Sequence, residues 1–442
     1  MMVGLNMRKH WYVRWLVSAA SWLLASAVTI TSQAAPEIPG ELSKQPVALV
    51  GGTVHPLSGP SIPGGTVLME GGKIVAVGKD VMVPPTAKVI DVAGKHVYPG
   101  LIDAHTNMGL VEINSVRATV DDTETGLINP NVRAQVAVNP DSEIIPTTRS
   151  NGVLLTLTAP SGSLITGRSS LLQLDGWTWE DMTVRSDVAL HIRWPDMAAN
   201  GEPGGGAGRE QLDALRGAFE KAKLYAAARR APGSRQPLDV RWESMLPVLD
   251  GKMPLMIQAD DSQQIQAAVA FAQQQNLKMI LHGGYDAPRL IPLLKQQQIP
   301  VVIEGTYRLP LRRSDAYDAA YTVPEQLHRG GVKYCIASAG RFGASNVRNL
   351  PYQAANAAAY GLPVDEALKA ITLYPAEILG VADRVGSLDK GKDATLFVAS
   401  GNPLETETQI EAAYVQGRPV ELNDRHKRLF KKYEEKYRRL QP

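Results

Sequence analysis

Asp91-Val92-Ala93-Gly94-Lys95-His96-Val97-Tyr98-Pro99-Gly100-Leu101-Ile102-Asp103-Ala104-His105-Thr106-Asn107-Met108-Gly109-Leu110 is the stretch that decides the fold. Residues 96–104 read as a short apolar strand that delivers Asp103, His105 and Asn107 to its end. Side chains alternate along a strand, so residues at i and i+2 share a face and these three point the same way. Clusters of this kind at the C-terminal ends of parallel strands are where barrel enzymes build their sites.

Outward from this strand, the chain supports a large core. It has 442 residues, 44% of them hydrophobic and 20% charged, which is enough for two domains. A formal net charge of +2, without interleaved basic and aromatic residues, gives no footprint for nucleic acid. A small-molecule substrate is the expected partner. Cys335 is the only cysteine, so neither an internal disulfide nor a cysteine-rich metal site can form; in the strand-like run 332–337 it reads as a small buried apolar residue.

Arg8, Lys9 and Arg14 precede an apolar run over 15–30, and Ser32-Gln33-Ala34 follows with small residues at cleavage spacing. Residues 1–34 therefore read as an export signal, with a periplasmic or secreted mature protein. An uncleaved anchor is the alternative, but a run of about 16 residues is short for a span.

From 47 to 97, short runs are punctuated by glycine and proline, and Gly71-Gly72 marks a hairpin. So few strands cannot bury a core alone; 386–398 and 412–418 supply further strands near the other end. Between the two ends, strand-like runs alternate with helical ones, as in βα units around a parallel sheet. The strands are 151–159, 256–259, 277–281, 300–303 and 332–337; the helices include 262–275, 351–360 and 364–371, with 366–380 read as one continuous helix. The glycine-rich segment 198–208 reads as a mobile loop, followed by a helix with Leu212, Leu215, Phe219 and Ala222 on one face.

Pro99-Gly100-Leu101-Ile102-Asp103-Ala104-His105 resembles the first barrel strand of the amidohydrolase superfamily, its imidazolonepropionase-like branch in particular, where the motif is Pro-Gly-Leu-Ile-Asp-x-His-x-His. The run 386–395 is similar to the family's Gly-x-Leu-x-x-Gly-Lys-x-Ala-Asp, with Thr395 for the usual aspartate, and 366–380 is similar to its Ala-Leu-x-x-x-Thr-x-x-Pro-Ala signature. The resemblance covers roughly 46–420. It implies an α/β fold: a TIM-like (β/α)8 barrel over 98–382, flanked by a β-sandwich built from 35–97 and 383–422, with a basic C-terminal tail at 423–442.

It also implies a ligand set, which this chain keeps only in part. His105 fills the first position and Asn107 replaces the second histidine; Gln258 replaces the fifth-strand histidine; His282 keeps the sixth-strand position; Ala339 falls where the eighth-strand aspartate belongs, beside Ser338. No bridging lysine is evident. The expected metal ligands are thus His105, His282 and Asn107, holding at most one divalent ion, zinc first, with a metal-free site as the alternative. Neutral amides are weaker zinc donors than imidazole or carboxylate.

Asp103 and Glu304, at strand ends, are the candidate catalytic carboxylates; Gln258, Ser338, Tyr307 and Arg308 are candidate binding residues. Asp121, Asp122 and Glu124 read as solvated loop acids, and His191 as a strand-borne core histidine that also has the option of lining the pocket. The long polar loop 111–148 is placed over the barrel mouth, and the loop 306–317, with Arg308, Arg312 and Arg313, offers positive charge for an anionic substrate. The tail, rich in Lys and Arg, suits a solvated face or weak contact with an anionic membrane.

The expected function is an exported amidohydrolase-like hydrolase of non-peptide C–N bonds in cyclic or linear amides. The alternative is a catalytically inactive binding protein or the partner subunit of a ligand-complete relative; a homo-oligomer fits either.

Overall fold

A computed structural model describes residues 38–162, 164–196, 205–338 and 343–440. The expected export signal, residues 198–204 of the glycine-rich stretch and Ala339 lie outside the described residues.

Both ends of the chain build one sheet. Strands Val47–Val54, Ile62–Glu70, Lys73–Gly78, Lys88–Asp91 and His96–Pro99 join Leu396–Ala399, Ile410–Val415 and Arg418–Val420 in an eight-stranded assembly. The hairpin turns at Gly71 and Gly72, both at positive φ, where glycine carries no Cβ penalty. The halves meet where His96–Pro99 runs antiparallel to Leu396–Ala399. Thr395, standing for the usual aspartate, accepts a hydrogen bond on its hydroxyl from Gln416 N at 3.1 Å. The sheet passes straight into the barrel at Gly100: its N–H donates to Thr395 O at 3.0 Å, and a Cβ there would lie 2.9 Å from Leu154 Cβ, so no larger residue fits.

The barrel wall is TIM-like. Leu101–Thr106 pairs in parallel with Val153–Thr158, and Leu190–Arg193, Leu255–Ala259, Met279–Gly283, Val301–Glu304 and Tyr334–Ala337 pair in that order, all parallel. Helices cover the outside. In Ser262–Gln275 the Asp261 carboxylate accepts from Gln263 N and Gln264 N, Asn276 ends the helix at φ 56°, and Ile265, Val269 and Phe271 are buried.

One part of the wall departs from the all-parallel expectation. Ile165–Arg168 runs antiparallel to Leu190–Arg193, and Ser170–Gln173 antiparallel to Val153–Thr158. A single reversed segment, bent at Ser169, whose N–H donates to Ala189 O at 3.0 Å, thus fills the third position. Apolar runs such as Leu171-Leu172 carry no mark of strand direction, which is why the sequence did not reveal it.

Two helical readings also change. Residues 366–380 are not one helix: Val364–Lys369 and Leu373–Ile378 are separated at Thr372 (φ −138°, ψ −80°). The carbonyls of Ala370 and Ile371 are diverted to Ile336 N and Ile102 N, at 2.9 and 2.8 Å, so the break ties the last and first wall strands to one turn. The expected loop over 198–208 ends early, because Gly205–Arg230 is helical; its Leu215, Phe219 and Ala222 are buried as the apolar spacing predicts.

Candidate active site

Most of the functional side chains stand where a wall strand ends, with His191 two residues deeper than Arg193. His105 comes from Leu101–Thr106, His191 and Arg193 from Leu190–Arg193, Gln258 from Leu255–Ala259, His282 from Met279–Gly283 and Glu304 from Val301–Glu304, with Ser338 just past Tyr334–Ala337. They line one cavity of about 360 Å³, together with Asn107, Asn114, Asp122, Thr166 and Gly343.

Three imidazoles form its floor. His105 stacks on His282 with centroids 3.8 Å apart and 29° between planes, and lies 5.4 Å from His191. Burial pushes all three below the usual histidine range, His282 to about 3, and their mutual proximity adds to the shift. They are neutral near pH 7. His191 Nε2, His282 Nε2 and Asn107 Oδ1 are buried without a hydrogen-bond partner, so unsatisfied polarity faces the cavity.

Glu304 supplies the carboxyl. Burial raises its pKa above the ordinary carboxylate value, while Arg308, Gln258 and Arg193 pull it back and Asp260 pushes it up. A carboxyl so balanced at a cavity wall is placed for proton transfer.

The sequence candidates are distributed as follows. His105, His282, Asn107, Gln258, Glu304 and Ser338 come together in the cavity. Asp103 does not reach it: fully buried behind His105, its Oδ1 accepts from His105 N and Ser338 N, both at 3.1 Å, and burial lifts its pKa to about 6. Tyr307 lies outside, 57% exposed, because Gln353 Oε1 holds its N–H at 3.0 Å and turns the backbone outward. Arg308 is held by Asp260 through two bonds of 2.9 Å, and Arg312 is paired with Asp286. Two of the three cations expected to meet an anionic substrate are therefore neutralised within the protein, while Arg313 is exposed and does not line the cavity. Arg193 is exposed at the cavity and makes no ion pair among the described residues.

Two residues whose sequence signal is weak, His191 and Asp122, also line the cavity. His191 joins the floor, and Asp122 Oδ2 accepts from Asn107 Nδ2 at 3.2 Å. The His191 signal was available, since Leu190–Arg193 falls in the slot of the strand preceding the Gln258 strand; Asp122 carries none, being one of several acids in a loop. That loop does reach the mouth, contributing Asn114 and Asp122.

Residues 262–422 match the Amidohydrolase family. The chain is 23% identical to the amidohydrolase tasK of Hapsidospora irregularis over 413 residues, 83% of this chain but 41% of that protein. It is also 23% identical to the imidazolonepropionase of Mesorhizobium japonicum over 394 residues, covering 83% and 91% of the two chains. The crystal structure of an amidohydrolase from Thermotoga maritima MSB8 superposes with a TM-score of 0.76 at 25% identity, over 85% of this chain and 99% of that one. These similarities support the amidohydrolase superfamily, in its imidazolonepropionase-like branch, for this chain.

Members of this superfamily usually bind a divalent metal, and the resemblance would assign such an ion to His105 and His282. The side chains as placed do not fit one. Imidazole binds a metal in its own ring plane at about 2.0 Å, and two rings stacked face to face at 3.8 Å have planes that converge only far beyond that reach. Asn107 and Gln258 contribute neutral amide oxygens. Among the described residues, no group of three or more His, Cys, Asp or Glu side chains is placed to hold an ion.

Proposed function

We propose that this chain is an exported hydrolase of non-peptide C–N bonds in cyclic or linear amides, with Glu304 as the base. The observation that carries the reading is a partly restrained carboxyl on the same cavity as three neutral imidazoles, on a superfamily scaffold whose matched relatives are named amidohydrolase and imidazolonepropionase.

In this reading the substrate carbonyl lies over the floor, where imidazole N–H groups and the Gln258 amide donate to the oxygen as it gains charge. Glu304 takes a proton from the attacking water as the new C–O bond forms. When the tetrahedral adduct collapses, the C–N bond breaks and Glu304 returns that proton to the departing nitrogen, giving a carboxylic acid and an amine. Arg193 receives a negatively charged group elsewhere on the substrate. No step passes through a metal ion.

The barrel closed between Leu101–Thr106 and Tyr334–Ala337, and a two-layer flanking domain, belong to the same proposal. The Ser338 N to Asp103 Oδ1 bond supports the first, and the sheet shared by both chain ends the second. Export rests on the basic and apolar composition of 1–34, and N-terminal sequencing of the protein recovered from the cell envelope tests it.

A second reading, an amide-binding protein without turnover, is favoured by the stacked histidines and by the amides at Asn107 and Gln258. Hydrolysis of N-acyl amino acids and cyclic imides by wild type and Glu304→Gln separates the two. Turnover lost in the variant supports the hydrolase; ligand binding without turnover in either protein supports the binder.

A further inference from the structure

The helix Arg425–Leu440 projects from the body with none of its residues buried. Its root is fixed. Asp424 accepts from His426 N at 2.7 Å and Lys427 N at 3.0 Å, Ser150 Oγ bonds the same carboxylate, and Arg428 pairs with Glu143 at 3.0 Å. Beyond Arg428 the described contacts are among the helix's own side chains.

Its apolar residues are sorted to one side. At about 100° per residue, Leu429, Phe430, Tyr433, Tyr437 and Leu440 fall within a stripe about 100° wide. All five are exposed, Phe430 at 67% and Leu440 at 69%. Eight Lys and Arg residues against two Glu occupy the rest of the surface. Lys432 and Lys436 lie over the Tyr433 ring, at 5.8 and 5.9 Å from its centroid, and Lys436 also lies 5.6 Å from that of Tyr437. Cations therefore border the aromatic stripe directly.

We infer that this helix is a docking element for an anionic lipid bilayer, lying in the interface with Phe430, Tyr437 and Leu440 among the headgroups and its lysines against lipid phosphates. Charge decides the occupant. A second copy would bring two strongly cationic helices face to face, whereas an anionic surface complements the basic border while the stripe buries its apolar area. At 16 residues the helix is about 24 Å long, and no described helix is long and apolar enough to cross a membrane, so the contact is with the surface alone.

Residues Glu37–Pro442 form one compact unit containing the whole described core; this unit is tested, which keeps the apolar run at 15–30 out of the assay. It is floated with vesicles of phosphatidylcholine alone or with added phosphatidylglycerol, beside two triple variants, Phe430→Ser/Tyr437→Ser/Leu440→Ser and Lys431→Glu/Lys432→Glu/Lys436→Glu. The altered side chains are exposed, so thermal unfolding should match wild type. The expected result is flotation only with phosphatidylglycerol, weakened by salt and reduced by more than about tenfold in each variant. The proposal is overturned if wild type stays unbound, binds neutral vesicles equally well, or binds anionic vesicles unaffected by either variant. Concentration-dependent self-association that the serine variant abolishes, without flotation, would assign the stripe to a second copy and overturn it too.

Discussion

The imidazole of His105 lies 3.8 Å, centroid to centroid, from that of His282, the two rings stacked with 29° between their planes. Desolvated and close together, both are held neutral, His282 down to about pH 3. The unfolded chain binds these protons near the ordinary histidine value of 6.5, so stability from neutral histidines is complete above that value and is lost as pH falls from it towards 3.

His282→Gln should therefore blunt acid destabilisation. Between pH 7 and 5 each such histidine costs about 2 kcal/mol. Asp103, raised to about 6, acts in the opposite sense, since the folded state takes up its proton first. Subtracting urea unfolding curves of the variant from those of wild type at both pH values isolates the histidine. A difference indistinguishable from zero would mean that His282 is not held neutral in the fold.

Glu304 should set the acid limb of activity. As a base it must be ionised, so kcat/KM rises with pH through its raised pKa. Arg193 lowers that pKa, so Arg193→Met should shift the limb to higher pH and raise KM for anionic amides by about tenfold, the value of one charged contact. A limb that stays in place would break the link between these residues.

Asp103 should behave as a structural residue. Its Oδ1 joins the first and last wall strands through His105 N and Ser338 N. Asp103→Asn keeps an oxygen acceptor and should retain turnover within about threefold, whereas Asp103→Ala leaves two buried N–H donors unpaired and should cost about 2–4 kcal/mol. Asparagine inactivating the enzyme with the fold intact would instead place Asp103 in the chemistry.

Phe219, fully buried, meets Phe271 edge to face at 5.3 Å and 80°. Phe219→Ala should cost about 3–5 kcal/mol in chemical unfolding; a cost below about 1 kcal/mol would mean that the helix carrying it is not docked.

Much of this was legible in the sequence because short-range pattern carries it. The Pro99–His105 run reads as a strand turning from sheet to barrel at a glycine, and Leu281-His282-Gly283 as a strand end. What was not legible depends on distant partners. Nothing near Ala370 or Ile371 announces that their carbonyls leave the helix for Ile336 and Ile102. Nothing near Arg308 or Arg312 shows that Asp260 and Asp286 will hold them, nor near Tyr307 that Gln353 turns it away. The reversal of Ile165–Gln173 escapes for the same reason, since strand direction is fixed by neighbours rather than by alternation.

The proposed role of Glu304 as the base in amide hydrolysis, with no step through a metal ion, is open to direct test. The most direct measurement is product release from N-acyl amino acids and cyclic imides after exhaustive chelation, comparing wild type with Glu304→Gln. Wild type is expected to turn over at least one such amide at a rate unchanged by chelation, and the variant to be slower by about 10²–10⁴-fold, the range for a lost general base. Turnover that needs added divalent metal, or that Glu304→Gln leaves intact, would contradict it.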